Sequence, residues 1–229
     1  PIYKVDPLRR FYRREMAPMG FLRRLVTRDI TPADLDQWQE LVYDACTQCG
    51  RCDMICPMGI HISPMIAVMR EALAEAGMQP AENKALVKEM AEKGTLLGIG
   101  ADSYREVAAE LRAQGIEVPI DKPKADVVVL MSAMDAALFK SAIGAAARIM
   151  NRLALNWTIR SNAGDAAAFD WTSGDERAKA TLIRKIVAET IAVGAKTLLV
   201  PECGHGYAAM RWNAANIVGT DLPFEVLAI

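Results

Sequence analysis

Four of the chain's five cysteines fall within a single short stretch, ACTQCGRCDMICPMGI, as Cys46, Cys49, Cys52 and Cys56. Thiols packed this closely, with an odd total, make a poor disulfide framework. They suit a metal or cluster site in a reducing compartment. The spacing is C-x2-C-x2-C-x3-C-P. Two residues between successive cysteines let a loop wrap one face of a cubane and aim three thiolates at three irons. Gly50 is small enough for the backbone to approach inorganic sulfides, and backbone amides can then offset the cluster's negative charge. Zinc needs two separated C-x2-C pairs, or a pair with histidines, to build a tetrahedron. The only other ligand types nearby are Asp53 and His61. The run therefore reads as the site of a [4Fe-4S] cluster.

The same spacing is the bacterial ferredoxin run, in which the fourth cysteine of a two-cluster protein ligates the other cluster. No second run occurs in this chain. Three ligand sets stay open. All four cysteines hold one cubane; or Cys46, Cys49 and Cys52 take a remote fourth ligand, His61 being one option; or a partner chain or further segment completes the site.

Around the run the pattern is helical. Thr31 can cap a helix with Pro32 in its first position, and Asp34 and Asp36 favour its positive end; this helix should reach about Tyr43. Ser63 and Pro64 repeat the signal. Met65, Val68, Met69, Ala72 and Leu73 follow at helical spacing, and Gly77 ends that helix. Further helices are expected near 81–93 and 102–114. Upstream, residues 1–30 mix eight Lys/Arg with aromatic and aliphatic side chains. They read as an extended arm packing on a partner or on the rest of the protein, or touching an anionic membrane surface beside a membrane subunit.

Past residue 121 the period changes. VVVLM (127–131) is a short continuous apolar run, and residues 157–160, TLLV (197–200) and the terminal FEVLAI read as further strands. Helical stretches at 135–153, 174–193 and 207–215 separate them. Alternating strand and helix is the signature of a parallel α/β layer. The fold class is thus α+β overall: an arm (1–30), a helical ferredoxin-like cluster domain (31–120) and a parallel α/β domain (121–229). Hydrophobic residues make up 52% of the chain, enough for a real core, and the net charge of −1 gives no support for a nucleic-acid partner. The chain opens on Pro1 and stops on what reads as a buried strand, so it is expected to be part of something longer.

The fifth cysteine, Cys203, lies in LLVPECGHGY, between a strand and a helix. Loops at the carboxyl ends of parallel strands are where ligands bind. Glu202, Cys203, His205 and Tyr207 are chemically able, and Gly204 and Gly206 permit close backbone approach. Cys203 is open to three readings: a buried inert thiol, a metal or cluster ligand, or a redox-active thiol.

ACTQCGRCDMICPMGIHISPM, together with NWTIRSNAGDAAAFDWTSGDERAKATLIRKIV and LLVPECGHGY, resembles the iron–sulfur proteins related to heterodisulfide reductase. The likeness covers about residues 35–229. The later segment looks particularly like the first half of the cysteine-rich CCG domain in the cytoplasmic subunit K of sulfite-reductase-associated membrane complexes. The resemblance implies a helical two-cluster domain and a CCG domain with a special iron–sulfur site, a second centre for which Cys203 would be a ligand. Two departures stand out. The second ferredoxin run, due near residues 85–110, is absent, and so are the twin cysteines of the later CCG half. The expected role is an electron-transfer subunit of a larger oxidoreductase, cytoplasmic or on the cytoplasmic face of a membrane. Its partners would be a flavoprotein, a quinone-reactive membrane subunit or a thiol-carrying protein. A catalytic disulfide reductase using Cys203, and a docking module with a structural cluster, are the alternatives.

Overall fold

The computed structural model describes residues 2–93, 96–164, 172–201 and 203–229. The chain forms two compact units: residues 1–84 with 172–175, and residues 85–171 with 176–229.

The first unit is helical. Residues near the N-terminus are not extended. They form α1 (Ile2–Phe11), a π-helical turn (Tyr12–Met16) and α2 (Gly20–Arg24). Ion pairs give the physical reason. Arg14 pairs with Asp29 and Glu15, and Arg24 with Glu15; Arg10 and Arg28 converge on Asp34, closing the segment on itself and on the next helix. That helix, α3 (Pro32–Gln39), starts as its sequence predicts. Thr31 and Asp34 form a reciprocal capping box with Pro32 in the first turn. A π-helical turn (Glu40–Asp44) carries it on to the cysteines. After them come the short α4 (Arg51–Met54) and the long α5 (Ile62–Glu75). The buried stripe of α5 is Ile62, Ile66, Met69, Arg70 and Leu73, so Val68 and Ala72 of the predicted face point to solvent instead. Trp38 and Val42 complete this unit's core, against which Val5 and Leu8 of α1 and the side chains of Cys46 and Cys52 also pack.

In the second unit four parallel strands form one sheet, in the order β2-β1-β3-β4. They are β1 (Val127–Val129), β2 (Trp157–Thr158), β3 (Thr197–Val200) and β4 (Glu225–Ala228). Val127 sits opposite both Trp157 and Thr197, and Thr197 opposite Glu225. The period of two divides the core. Val128, Leu130, Leu198, Val200 and Val226 face one cluster. There they meet Ile183, Ile186 and Val187 of α10 (Glu176–Ala192). Val129, Met131, Trp157 and Ile159 face the other cluster. They meet Tyr104, Val107 and Leu111 of α7 (Ala101–Ala113), and Ile143, Ala147 and Met150 of α9 (Lys140–Arg152). Sheets covered on both faces have continuous apolar strands, as read in VVVLM. The sequence had grouped α7 with the cysteines, but its buried face belongs to the core of the sheet. The remaining helices are α6 (Ala81–Lys93), α8 (Ala133–Ala137), α11 (Gly204–Ala208), which a π turn (Ala209–Asn213) continues, and α12 (Ala214–Val218). Among the described residues no helix is long and apolar enough to cross a membrane.

Candidate metal centre

The cysteine loop begins where the π turn ends. Gln48 (φ 54°) and Gly50 (φ 71°) adopt left-handed backbone, which bends the chain around before α4. At Gly50 the demand is conformational: a Cβ there would meet no protein atom within 4 Å, yet the positive φ disfavours any other residue. Cys52 then lies in α4, and Cys56 opens the Pro57 turn.

The four thiols sit in unlike surroundings. Cys49 is exposed, and the other three are partly buried. The Arg51 amide, followed by the Thr47 hydroxyl, holds the Cys49 thiol below the ordinary range. Burial pushes Cys52 up, reinforced by Asp53, whose Oδ1 accepts from its Sγ at 3.4 Å. Cys52 and Cys56 together line a pocket of about 420 Å³, otherwise walled mainly by Ile55, Ile60, Ile62 and Val5. Among the described residues, no three Cys, His, Asp or Glu side chains are already gathered around one ion position. The structure brings Cys52 and Cys56 to one pocket and leaves Cys49 facing solvent.

The two other ligand types separate cleanly. Asp53 is a cap. Its Oδ1 accepts from the amides of Ile62 (2.6 Å) and Ser63 (2.8 Å), and its Oδ2 accepts from the Ser63 hydroxyl. Burial works against its charge, but these bonds outweigh it and hold Asp53 below the usual carboxylate range. The start signal read at Ser63 thus works through Asp53. His61 is exposed in the position before α5 and makes no capping bond through its side chain.

Two residues that sequence reasoning missed lie beside the run. Arg70 is 2% exposed. Its Nε donates to the Val42 carbonyl (2.8 Å), its Nη2 to the Cys46 carbonyl (2.5 Å), and its guanidinium stacks 5.2 Å from the Tyr43 ring centre. Burial lowers its pKa, while charge on Cys46 and Tyr43 works to raise it. Burial also raises Tyr43 to about 12, and its hydroxyl donates to the Arg70 and Ser173 carbonyls. Gly174 closes over Arg70 so tightly that a Cβ there would come within 2.5 Å of the Arg70 backbone. Gln48 is the second missed residue. The Nη1 of Arg70 and both polar atoms of the Gln48 side chain are buried without a hydrogen-bond partner. They are the three such side-chain atoms found among the described residues. An unsatisfied buried polar atom costs about 1–3 kcal/mol, so Gln48 within the run and Arg70, bonded to the Cys46 carbonyl, mark a place that suits a further group. Arg70 falls in the apolar stripe of α5 only when that helix is turned to bury Ile62, Ile66 and Leu73, so its sequence signal is weak.

A [4Fe-4S] cubane fits these residues. Four soft thiolate donors suit it, and the buried Gln48 Nε2 and Arg70 Nη1 are donors left over for an anionic group.

Cys203 is placed differently. It precedes α11, and its Sγ accepts the Gly206 amide at 3.2 Å, so the thiol caps a helix. It packs against the core cluster of α10 and β3, as does Tyr207, whose ring meets Trp212 edge-on at 5.5 Å. Glu202, and residues 165–171 of the segment likened to the CCG half, lie outside the described residues.

Residues 9–61 match the family model of the 4Fe-4S dicluster domain. The match covers the cysteine run and supports an iron–sulfur protein with a [4Fe-4S] cluster. No curated protein and no solved structure matches the chain.

Proposed function

We propose that the chain is an electron-transfer subunit of a larger oxidoreductase, its [4Fe-4S] cluster held by Cys46, Cys49, Cys52 and Cys56. The observation that carries the reading is the dicluster match, which ends at His61 and so takes in all four cysteines. When bound, the cluster supplies one-electron chemistry. The chain's residues do the rest. Cys49 offers a thiol held below its ordinary range, Asp53 fixes the loop to α5, and the half-buried positions of Cys46, Cys52 and Cys56 limit water.

A face for redox partners accompanies this role. Phe21, Leu25 and Val26 are 69%, 82% and 83% exposed, and Tyr12, Met16 and Met19 are also open. Arg13 and Arg23 are exposed among them. Apolar side chains next to arginines support a docking surface for a membrane-associated redox subunit. A flavoprotein or a thiol-carrying protein would be the other partner, placing the chain at the cytoplasmic face.

One observation favours a second reading, a catalytic disulfide reductase of the heterodisulfide type with a CCG-like site at Cys203. In the order β2-β1-β3-β4 the order of strand addition switches sides between β1 and β3, and Cys203 follows β3. Ligands of α/β sheets bind at such switch points.

Anaerobic reconstitution with iron and sulfide, iron counting and electron paramagnetic resonance of the reduced protein test the proposal. About four irons per chain and one cubane signal are expected. A protein that takes up no iron would refute it. Extra iron with an unusual oxidised-state signal, lost in Cys203→Ser, would establish the second reading instead.

A further inference from the structure

We propose that Arg70 is a built-in counter-charge for the cluster, raising its reduction potential; the proposal rests on the cluster reading above. Guanidinium groups remain charged in proteins. A cation 2% exposed needs an anion, because burying an uncompensated charge is costly. Among the described residues no carboxylate pairs with Arg70: its bonds go to the carbonyls of Val42 and Cys46, and its cation lies over Tyr43. Carbonyls and a ring face satisfy donors without neutralising charge. One donor, Nη1, has no acceptor at all. The anion this arrangement lacks is supplied by thiolate-ligated iron. Cys46 begins the run, and its own carbonyl is held by the guanidinium, so the positive charge is fixed beside the first ligand. A cubane bound by thiolates is anionic and becomes more so on reduction. A nearby fixed cation therefore favours the reduced form.

The surrounding residues make the charge permanent and well placed. Tyr43 and the close approach of Gly174 cover Arg70, so water does not screen it. A surface arginine would exert far less effect. A purely structural role, splinting the end of the π turn to α5 through two carbonyl bonds, predicts no dependence on charge.

The test is a mediator titration of reconstituted full-length protein, followed by electron paramagnetic resonance, for wild type, Arg70→Lys and Arg70→Gln. Lysine keeps the charge but cannot bridge both carbonyls; glutamine removes it. At the wild-type midpoint, the ratio of reduced to oxidised cluster is expected to fall at least tenfold in Arg70→Gln, a one-electron shift of about 59 mV to more negative potential. In Arg70→Lys it should stay within about threefold. Iron taken up by Arg70→Lys but not by Arg70→Gln, with far-ultraviolet circular dichroism unchanged in both, also supports the counter-charge. Equal shifts in the two variants, no shift in Arg70→Gln, or loss of iron from both alike would overturn it in favour of the splint. Absence of iron from wild type would sink the cluster reading itself, whereas a wild-type cluster indifferent to Arg70→Gln sinks only this proposal.

Discussion

The two cysteine-bearing loops both lead into a short helix, but their polar atoms are in opposite condition. In the second unit Cys203 accepts the Gly206 amide, and its neighbours belong to a filled core. In the first unit the loop bends through two left-handed residues and leaves Gln48 and Arg70 with unspent hydrogen-bonding capacity. The difference teaches that a cysteine's promise as a ligand is better judged from its surroundings than from its reactivity. A thiol already serving as a cap has a structural job; thiols beside unsatisfied donors are waiting for one.

The most severe way to break this contrast is substitution of the thiols. Cys49→Ser should abolish iron uptake on reconstitution, measured as iron per chain. Because Cys49 is exposed, the metal-free variant should keep its fold by circular dichroism. Cys203→Ser should leave iron and spectrum unchanged; a drop in either would erase the distinction between the loops.

Next in size is the core of the sheet. Leu198 is fully buried in the third strand, and Leu198→Ala should cost about 2–5 kcal/mol in urea unfolding. Iron uptake by the folded protein should not change, since the cluster loop belongs to the other unit.

A smaller effect sharpens the comparison from the first unit's side. Asp53→Ala removes the bonds to Ile62 and Ser63. By analogy with N-cap deletions it should cost about 0.5–2 kcal/mol. It should also slow reconstitution, because the loop loses its tie to α5. Reconstitution at the wild-type rate would show that the loop is positioned by its own backbone.

The mildest expected effect is the response to acid. The Thr31 amide and then its hydroxyl, with Arg10 and Arg28, hold Asp34 at about 2, against its ordinary 3.8. A carboxylate depressed by folding stabilises the protein above its unfolded value. That contribution is full above about pH 4 and disappears as the pH falls from there through about 2. In melting curves across this window, Asp34→Asn should flatten the acid decline. An unaltered slope would mean that Asp34 does not carry it.

Much of this was readable in advance, for identifiable reasons. The parallel sheet announced itself because strands buried on both faces are continuously apolar, as VVVLM and TLLV are. The capping box at Thr31 and Asp34 is local, so four residues of sequence contain it. What stayed hidden depends on contacts between distant positions. Arg70 looked like one more charge on a helix until α5 was oriented by Ile62, Ile66 and Leu73. Asp53 looked like a spare ligand until its carboxylate reached Ile62 and Ser63, nine and ten residues on. The segment before residue 30 packs on the rest of the protein, one of the readings its sequence allows, but it is helical and not extended, because the acidic partners Glu15, Asp29 and Asp34 fold it up.

The Tyr43 hydroxyl ends on the carbonyl of Ser173, a residue 130 positions later. A ribosome adds roughly 5–20 residues per second, so the second half of that bond is made about 7–26 seconds after the first. Throughout that interval the roof over Arg70 is missing, while all four thiols of the run have already been made. Any cofactor delivered early would meet an open, water-screened site, and one delivered late would meet the finished one. The cover over Arg70 is thus the last part of this unit to be made, supplied by residues far from the run in sequence.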